Sequence, residues 1–143
     1  MTEPPLLMLA EGRKPRLRRA PVYRPKELVL HIAVATVLKD RCLQDWRWTH
    51  IPAGEARDAR HAAKLRAMGV MLGWPDFILV SPYGSIRCLE LKRQGETLSD
   101  EQDAFWRWAL RHSVPHVIAY SIDAAMRALD HWGCLRKAGD GPS

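Results

Sequence analysis

The chain has 143 residues, of which 47% are hydrophobic and 27% are charged, a composition typical of one soluble globular domain. No segment approaches the ~18 uninterrupted apolar residues of a transmembrane helix, so we expect no membrane span, and the first residues lack the pattern of a signal peptide. The three cysteines form no CxxC pair, so we expect neither a zinc site nor a disulfide framework, and a reducing cytoplasm fits. The net charge of +6 predicts a polyanionic partner such as nucleic acid.

Three parts are expected along the chain. Residues 1–24 contain several prolines and a cluster of basic side chains, which predicts an irregular arm that either follows a phosphate backbone or only aids solubility. Residues 25–135 are expected to form the folded domain. Residues 136–143 are polar and contain glycine and proline, so we expect a flexible tail.

The first elements are two helices separated by a strand. A helix is predicted over residues 25–39, because Pro25 suits a first-turn position. Its apolar residues recur at the spacing of one helical face, namely Leu28, Ile32, Ala35 and Leu38. The alternating stretch 45–51 predicts a strand, and residues 57–68 predict a basic helix that ends at Gly69.

A β-hairpin between Gly73 and Lys92 is the most informative segment. An apolar run over residues 77–80 predicts a buried strand, and residues 86–92 then alternate, which places Glu90 and Lys92 on one face. Two carboxylates beside a lysine predict a divalent-metal site, with Asp76 entering from the neighbouring strand. The alternative is that Asp76 only starts a strand and that Glu90 and Lys92 form a solvated ion pair.

The last three elements are a helix, a strand and a helix. Ser99 and Gln102 have the spacing of a capping box, which predicts a helix that ends before Pro115. Residues 116–120 predict a strand, and residues 122–132 a closing helix that is capped by Ser121 or Asp123 and stopped by Gly133.

The motifs occur in an order that resembles the VRR-NUC domain, a branch of the PD-(D/E)xK nuclease superfamily, in its stand-alone phage or bacterial form. The resemblance spans residues 25–135. Two positions depart from it, because Ala53 stands where an Asn is expected and His31 where many relatives carry Gln. The motif positions that carry the resemblance are Glu27, His31, His50-Ile51-Pro52, Gly54-Glu55, Lys64-Leu65, Met68-Gly69-Val70, Gly73-Trp74-Pro75-Asp76, Glu90-Leu91-Lys92, Leu98-Ser99, Gln102 and Trp132-Gly133.

The resemblance implies an α/β fold with a restriction-endonuclease-like αβββαβ core, in which helices flank a central mixed sheet. It also implies a hydrolase that cuts phosphodiester bonds with Mg²⁺ or Mn²⁺. Asp76 and Glu90 would bind the metal, with the backbone carbonyl of Leu91 as a third ligand and Glu27 acting directly or through water. Lys92 would orient the attacking water.

Further residues have two interpretations each. Glu27 is either a site residue or a first-turn glutamate favoured by the helix dipole. His31 either contacts the phosphate or Glu27, or is a surface histidine, and Gln102 either bonds the site lysine or substrate, or only caps its helix. The basic residues of the inserted helix would contact phosphates or form a solvated face: Arg57, Arg60, His61, Lys64 and Arg66.

The leading hypothesis is a metal-dependent DNA endonuclease in the cytoplasm of a bacterium or a phage-infected host cell. Selectivity for branched DNA such as Holliday junctions, with a role in DNA repair, is one option within it. The resemblance implies a homodimer, because a junction resolvase acts on two opposed strands. The alternatives are a DNA-binding or assembly module without turnover, and a nuclease of low selectivity that also acts on RNA.

Overall fold

The structure is a computed structural model that describes residues 25–53 and 58–141, with side chains described from Glu27 onward. The predicted arm at 1–24, Arg57 and the last two residues of the tail lie outside the described residues. Within the described ranges the elements in chain order are α1 (Pro25–Arg41), β1 (Arg47–His50), α2 (Ala59–Ala67), β2 (Phe77–Val80), β3 (Ile86–Leu91), α3 (Asp100–Arg111), β4 (His116–Ala119) and α4 (Ile122–Trp132).

The four strands form one mixed sheet in the order β1-β2-β3-β4. β1 and β2 run antiparallel, as do β2 and β3, whereas β3 and β4 run parallel. The parallel pair is joined by a crossover that contains α3, as parallel strands require. The structure therefore confirms the predicted α/β class and the αβββαβ order, with α2 inserted between β1 and β2.

The main core lies between the sheet and the two helices α1 and α4. Strands β2 and β3 contribute Phe77, Leu79 and Leu89, each at most 1% exposed, while α1 contributes Leu38 and α4 contributes Leu129. Burying one such side chain stabilises the fold by about 1.5–3 kcal/mol. This packing holds the end of β3 against α1, where the candidate site residues converge.

The buried face of α1 differs from the predicted one. Leu28 and Ile32 are 48% and 56% exposed, and the buried residues are His31, Val34 and Leu38. Helical spacing admits both faces, because α1 is apolar around much of its circumference. Its orientation is set by contact with the sheet and α4.

The ends of α2, α3 and α4 follow local capping chemistry. Ser99 and Gln102 form the predicted capping box of α3, and Ser121, not Asp123, caps α4 before Gly133 ends it with a left-handed φ of 73°. The inserted helix is shorter than predicted, because Asp58 accepts a hydrogen bond from the backbone N–H of His61 and so begins α2 at Ala59.

The chain continues beyond residue 135 in contact with α1. The backbone N–H of Arg136 donates to the carbonyl of Arg41 at 2.7 Å, and the Arg41 guanidinium donates back to the carbonyl of Arg136 at 2.6 Å. The start of the predicted tail is therefore attached to the end of α1. None of the helices in the described ranges has the length and apolarity needed to cross a membrane.

Candidate active site

The loop before β2 holds Asp76 close to α3. Gly73 has a positive φ of 86°, and a side chain there would overlap the backbone carbonyl of Glu101 in the first turn of α3. The next residue also packs against this helix, since the rings of Trp74 and Phe105 of α3 lie 5.1 Å apart between centroids in a tilted arrangement. A glycine is therefore required at this position, and Asp76 enters the site from a constrained backbone.

Asp76 joins β1, β2 and β3 through its backbone and its carboxylate. Its carbonyl accepts hydrogen bonds from the backbone N–H of Ile51 at 2.8 Å and from Nδ1 of His50 at 2.7 Å. Its Oδ2 accepts from the backbone N–H of Leu91 at 2.7 Å. Its Oδ1 lies 3.4 Å from Nε2 of His31. These contacts hold the Asp76 carboxylate beside the end of β3.

Glu90 is the buried carboxyl group of the site, with 2% of its surface exposed. Its Oε1 accepts a hydrogen bond from Nε2 of Gln102 at 2.6 Å and lies 3.8 Å from Nζ of Lys92. Burial, followed by the negative charge of Asp76, raises the pKa of Glu90 to about 9, although Lys92 acts in the opposite direction. Glu90 and Asp76 therefore do not carry two negative charges side by side unless a cation compensates them.

Two further glutamates lie at the edge of this cluster. The charge of Glu27, in the first turn of α1, also contributes to the raised pKa of Glu90. Glu96, in the loop between β3 and α3, has its pKa lowered by a hydrogen bond with Glu27 and is paired with Arg93 at 3.6 Å. Glu27 thus lies between the buried Glu90 and the exposed loop.

The donor set fits a divalent cation. Carboxylate oxygens are the ligands that Mg²⁺ and Mn²⁺ prefer. The charge of the partly exposed Asp76 acts on the buried Glu90. Burial and then the charge of Asp76 raise the pKa of Glu90, and a cation bound by both carboxylates would act in the opposite direction. The peptide of Leu91 lies beside Asp76, because its N–H donates to that carboxylate.

A solved structure described as a VRR_NUC domain is similar to this chain in its fold. Its TM-score is 0.51, and the match covers 75% of this chain and 97% of that chain at 14% sequence identity. The chain has the VRR-NUC fold. At this identity the likeness carries the architecture and not the activity. No protein-family model matches the chain, and no curated protein matches its sequence.

Within this VRR-NUC fold, the residues predicted to bind nucleic acid separate into two groups. His31 is only 8% exposed and faces Asp76, so it is an internal residue of the site and not a surface histidine. Arg60 and Lys64 are exposed on α2, which has no buried residue among those described. Arg57 lies outside the described residues.

Two site residues were not among the predicted ones. His50 contacts the carbonyl of Asp76 and lies edge-on to His31 at 5.1 Å between ring centroids. The available signal was its place in the His50-Ile51-Pro52 motif of the VRR-NUC resemblance. Glu96 had no sequence signal, since it occurs in a polar loop and meets Glu27 only through the fold.

Proposed function

We propose that the protein is a divalent-metal-dependent nuclease that hydrolyses phosphodiester bonds of DNA. The observation that carries the proposal is the convergence of Asp76, Glu90 and Lys92 where the start of β2 meets the end of β3. Asp76 is bonded to the peptide of Leu91, and Glu90 is bonded to Gln102 and lies beside Lys92. The likeness in fold to the solved VRR_NUC domain is consistent with the same chemistry.

Each residue has a role that follows from its position. Asp76 and Glu90 would hold the cation, with the carbonyl of Leu91 and the carboxylate of Glu27 as further oxygen donors. When bound, a divalent ion neutralises charge on the phosphoryl group and makes an attacking water more acidic. Gln102 holds the Glu90 carboxylate in place through its 2.6 Å hydrogen bond.

Lys92 would act on the water and the phosphate. Its ammonium group lies 3.8 Å from Glu90 and is mostly shielded from solvent, so its N–H donors can orient a water and stabilise charge that develops on the phosphoryl oxygens. In the reaction, the water oxygen bonds to phosphorus as the ester P–O bond breaks. The leaving oxygen takes up a proton, and the water loses one to solvent.

An open groove beside Lys92 offers the DNA backbone a path to the site. Its lining also includes Leu30, Arg93, Gln94, Tyr120 and Ser121. Arg93 adds positive charge close to the position proposed for the phosphate. The exposed Arg60 and Lys64 on α2 would add phosphate contacts, which supply affinity without sequence selectivity.

Branched DNA is the more specific substrate that we propose, together with a homodimer that places two sites on opposed strands. A nuclease that cuts DNA or RNA with low selectivity is the alternative within the same chemistry. A binding module without turnover is the other candidate, although a site that keeps Asp76, Glu90 and Lys92 in contact favours hydrolysis.

The test uses purified protein with linear duplex DNA, single-stranded DNA, RNA and a four-way junction, each with Mg²⁺, with Mn²⁺ or with EDTA. We expect cleavage with metal and none with EDTA, and the junction should be cut fastest. Asp76→Ala, Glu90→Ala and Lys92→Ala should each lower the cleavage rate at least about a hundredfold.

Asp130→Ala is the matched control, because Asp130 is exposed on α4, and it should retain the wild-type rate. Cleavage that persists in EDTA or in the Asp76→Ala variant would contradict the metal-site assignment. Metal-dependent binding without cleavage of any of the four substrates would favour the binding module.

A further inference from the structure

A second group of metal-binding side chains lies on the α1 side of Asp76. His31 comes from α1, His50 from the last position of β1, and Asp76 from the residue before β2. One ligand atom from each of the three lies within 4.8 Å of the other two. This grouping differs from the Asp76–Glu90 pair in its donors, because two of the three are imidazole nitrogens.

The hydrogen bond of His50 assigns its proton. Its Nδ1 lies 2.7 Å from the carbonyl oxygen of Asp76, and a carbonyl oxygen can only accept, so Nδ1 carries the hydrogen. In the neutral ring the lone pair is therefore on Nε2. A bond from the second ring nitrogen to a backbone carbonyl is the arrangement that orients histidines which bind metal ions.

His31 is held in a matching orientation. Its Nε2 lies 3.4 Å from Oδ1 of Asp76, so the nitrogen and the carboxylate oxygen are close neighbours. Phe77 packs against both imidazoles, at 5.7 Å from His31 and 5.4 Å from His50 between ring centroids. The rings are thus fixed by a buried aromatic side chain before any ion arrives.

We propose that His31, His50 and Asp76 form a binding site for a late first-row transition-metal ion of the Co²⁺ and Zn²⁺ class. Two imidazoles with one carboxylate are a donor set that such ions prefer, whereas Mg²⁺ prefers oxygen ligands alone. Metal–ligand bonds of about 2.0 Å place the donors of a tetrahedral ion ~3.3 Å apart. The ligand atoms now lie within 4.8 Å of one another, and binding of the ion would draw them to that spacing.

Asp76 belongs to both groups of donors. Its Oδ2 is bonded to the N–H of Leu91 and its Oδ1 faces His31, so a transition-metal ion at the histidines takes the Oδ1 side of the carboxylate. Any effect of this ion on cleavage rests on the proposed function. The binding of the ion does not rest on it, because binding requires no turnover.

The experiment measures Co²⁺ binding to metal-stripped, untagged protein by visible absorption and by equilibrium dialysis. The wild type should bind one Co²⁺ with the ligand-field absorption of a site that contains nitrogen. His31→Gln and His50→Gln should each weaken the binding at least about tenfold. His131→Gln is the matched control, since His131 is exposed on α4, and it should bind as the wild type does.

Glu90→Gln separates this inference from the proposed function. It removes a carboxylate of the cleavage site but none of the three donors, so it should lose cleavage and keep the Co²⁺ absorption. Loss of Co²⁺ binding in Glu90→Gln to the same degree as in His50→Gln would overturn the histidine site, as would a wild type that binds no Co²⁺. Far-UV circular dichroism of each variant checks the fold, and His50→Gln, at a half-buried position, is the decisive variant if His31→Gln fails to fold.

Discussion

Glu90 is buried at the end of β3, so the pKa of its carboxyl group differs between the folded and the unfolded chain. Its burial, and next the charge of Asp76, raise its pKa from 4.5 to about 9. Without metal, the folded protein therefore holds a proton on Glu90 at neutral pH, whereas the unfolded chain does not. A divalent cation would displace this proton, so Glu90 is suited to bind metal. Without the metal, the buried carboxyl group lowers the stability of the folded protein at neutral pH.

In EDTA, the free energy of unfolding should depend on the protonation of Glu90. The pKa of Glu90 is higher in the folded than in the unfolded chain. Its favourable contribution to the free energy of unfolding is therefore complete below pH 4.5 and declines as the pH rises toward about 9. Glu90→Gln mimics the protonated group and keeps an acceptor for Gln102. We expect this variant to be more stable than the wild type by about 1–3 kcal/mol at pH 8, with a smaller difference at pH 5.

Urea unfolding at both pH values measures this difference. Asp130→Asn, at an exposed aspartate of α4, is the control and should show little change. An equal gain at pH 5 and pH 8 would show that the titration of Glu90 is not its cause.

At the scale of elements, the start of α3 is part of the site as well as a helix terminus. Oε1 of Gln102 accepts from the backbone N–H of Ser99 at 2.9 Å, and its Nε2 donates to Glu90 at 2.6 Å. The two interpretations of Gln102 are therefore not exclusive, although its partner is the site glutamate and not the lysine. Any shift of α3 along its axis moves the group that holds Glu90.

A pair of variants separates the two roles of this side chain. Ser99→Ala removes only the cap and should cost about 1 kcal/mol of stability while the cleavage rate stays near that of the wild type. Gln102→Ala removes the reciprocal cap and the donor to Glu90, so the rate should fall about tenfold or more. Thermal unfolding and single-turnover cleavage measure the two effects. Equal rates for both variants would show that the bond to Glu90 does not contribute to catalysis.

Two tryptophans of α3 differ in their exposure to solvent. Trp106 and Trp108 are two residues apart on one helix, so they cannot both face the core. Trp108 is 45% exposed and stacks on His112 at 4.9 Å, while Trp106 is half-buried. Spacing alone could not decide which of the two would be exposed.

At the scale of the whole molecule, the net charge of +6 is unevenly distributed. The exposed face of α2 is basic, whereas the first turn of α3 carries Asp100, Glu101 and Asp103. A polyanion should therefore approach from the side of α2 and the groove beside Lys92.

The charge distribution predicts how DNA binding depends on salt. Arg60→Ala combined with Lys64→Ala should weaken binding to duplex DNA in EDTA and reduce the slope of log K against log salt by about 1–2. Fluorescence anisotropy between 50 and 200 mM salt, a range over which such slopes are resolved, measures this slope.

The charge-matched control is Lys39→Ala with Arg127→Ala, which removes two exposed charges from α1 and α4. A loss of slope as large as that of the α2 variant would mean that net charge, and not the face of α2, determines the binding.

Local patterns in the sequence determined most of the secondary structure. The apolar run of β2, the alternation of β3, the capping box of α3 and the glycine that ends α4 all act within a few residues, and the structure has each element where its pattern predicts it. The resemblance to the VRR-NUC domain carried the fold further, since its motifs occur in the order of the elements. The proposed metal residues Asp76 and Glu90 also come from neighbouring strands of one hairpin.

The tertiary structure decided which distant side chains meet. His31, His50 and Asp76 are separated by 19 and 26 positions along the chain, and only the packing of α1 and β1 on β2 brings them to one point. The hydrogen bond that Glu90 accepts from Gln102 likewise depends on how α3 packs near the end of β3. Periodicity determines which residues share a face, but strand register and helix packing determine which faces touch, because those contacts depend on the whole core.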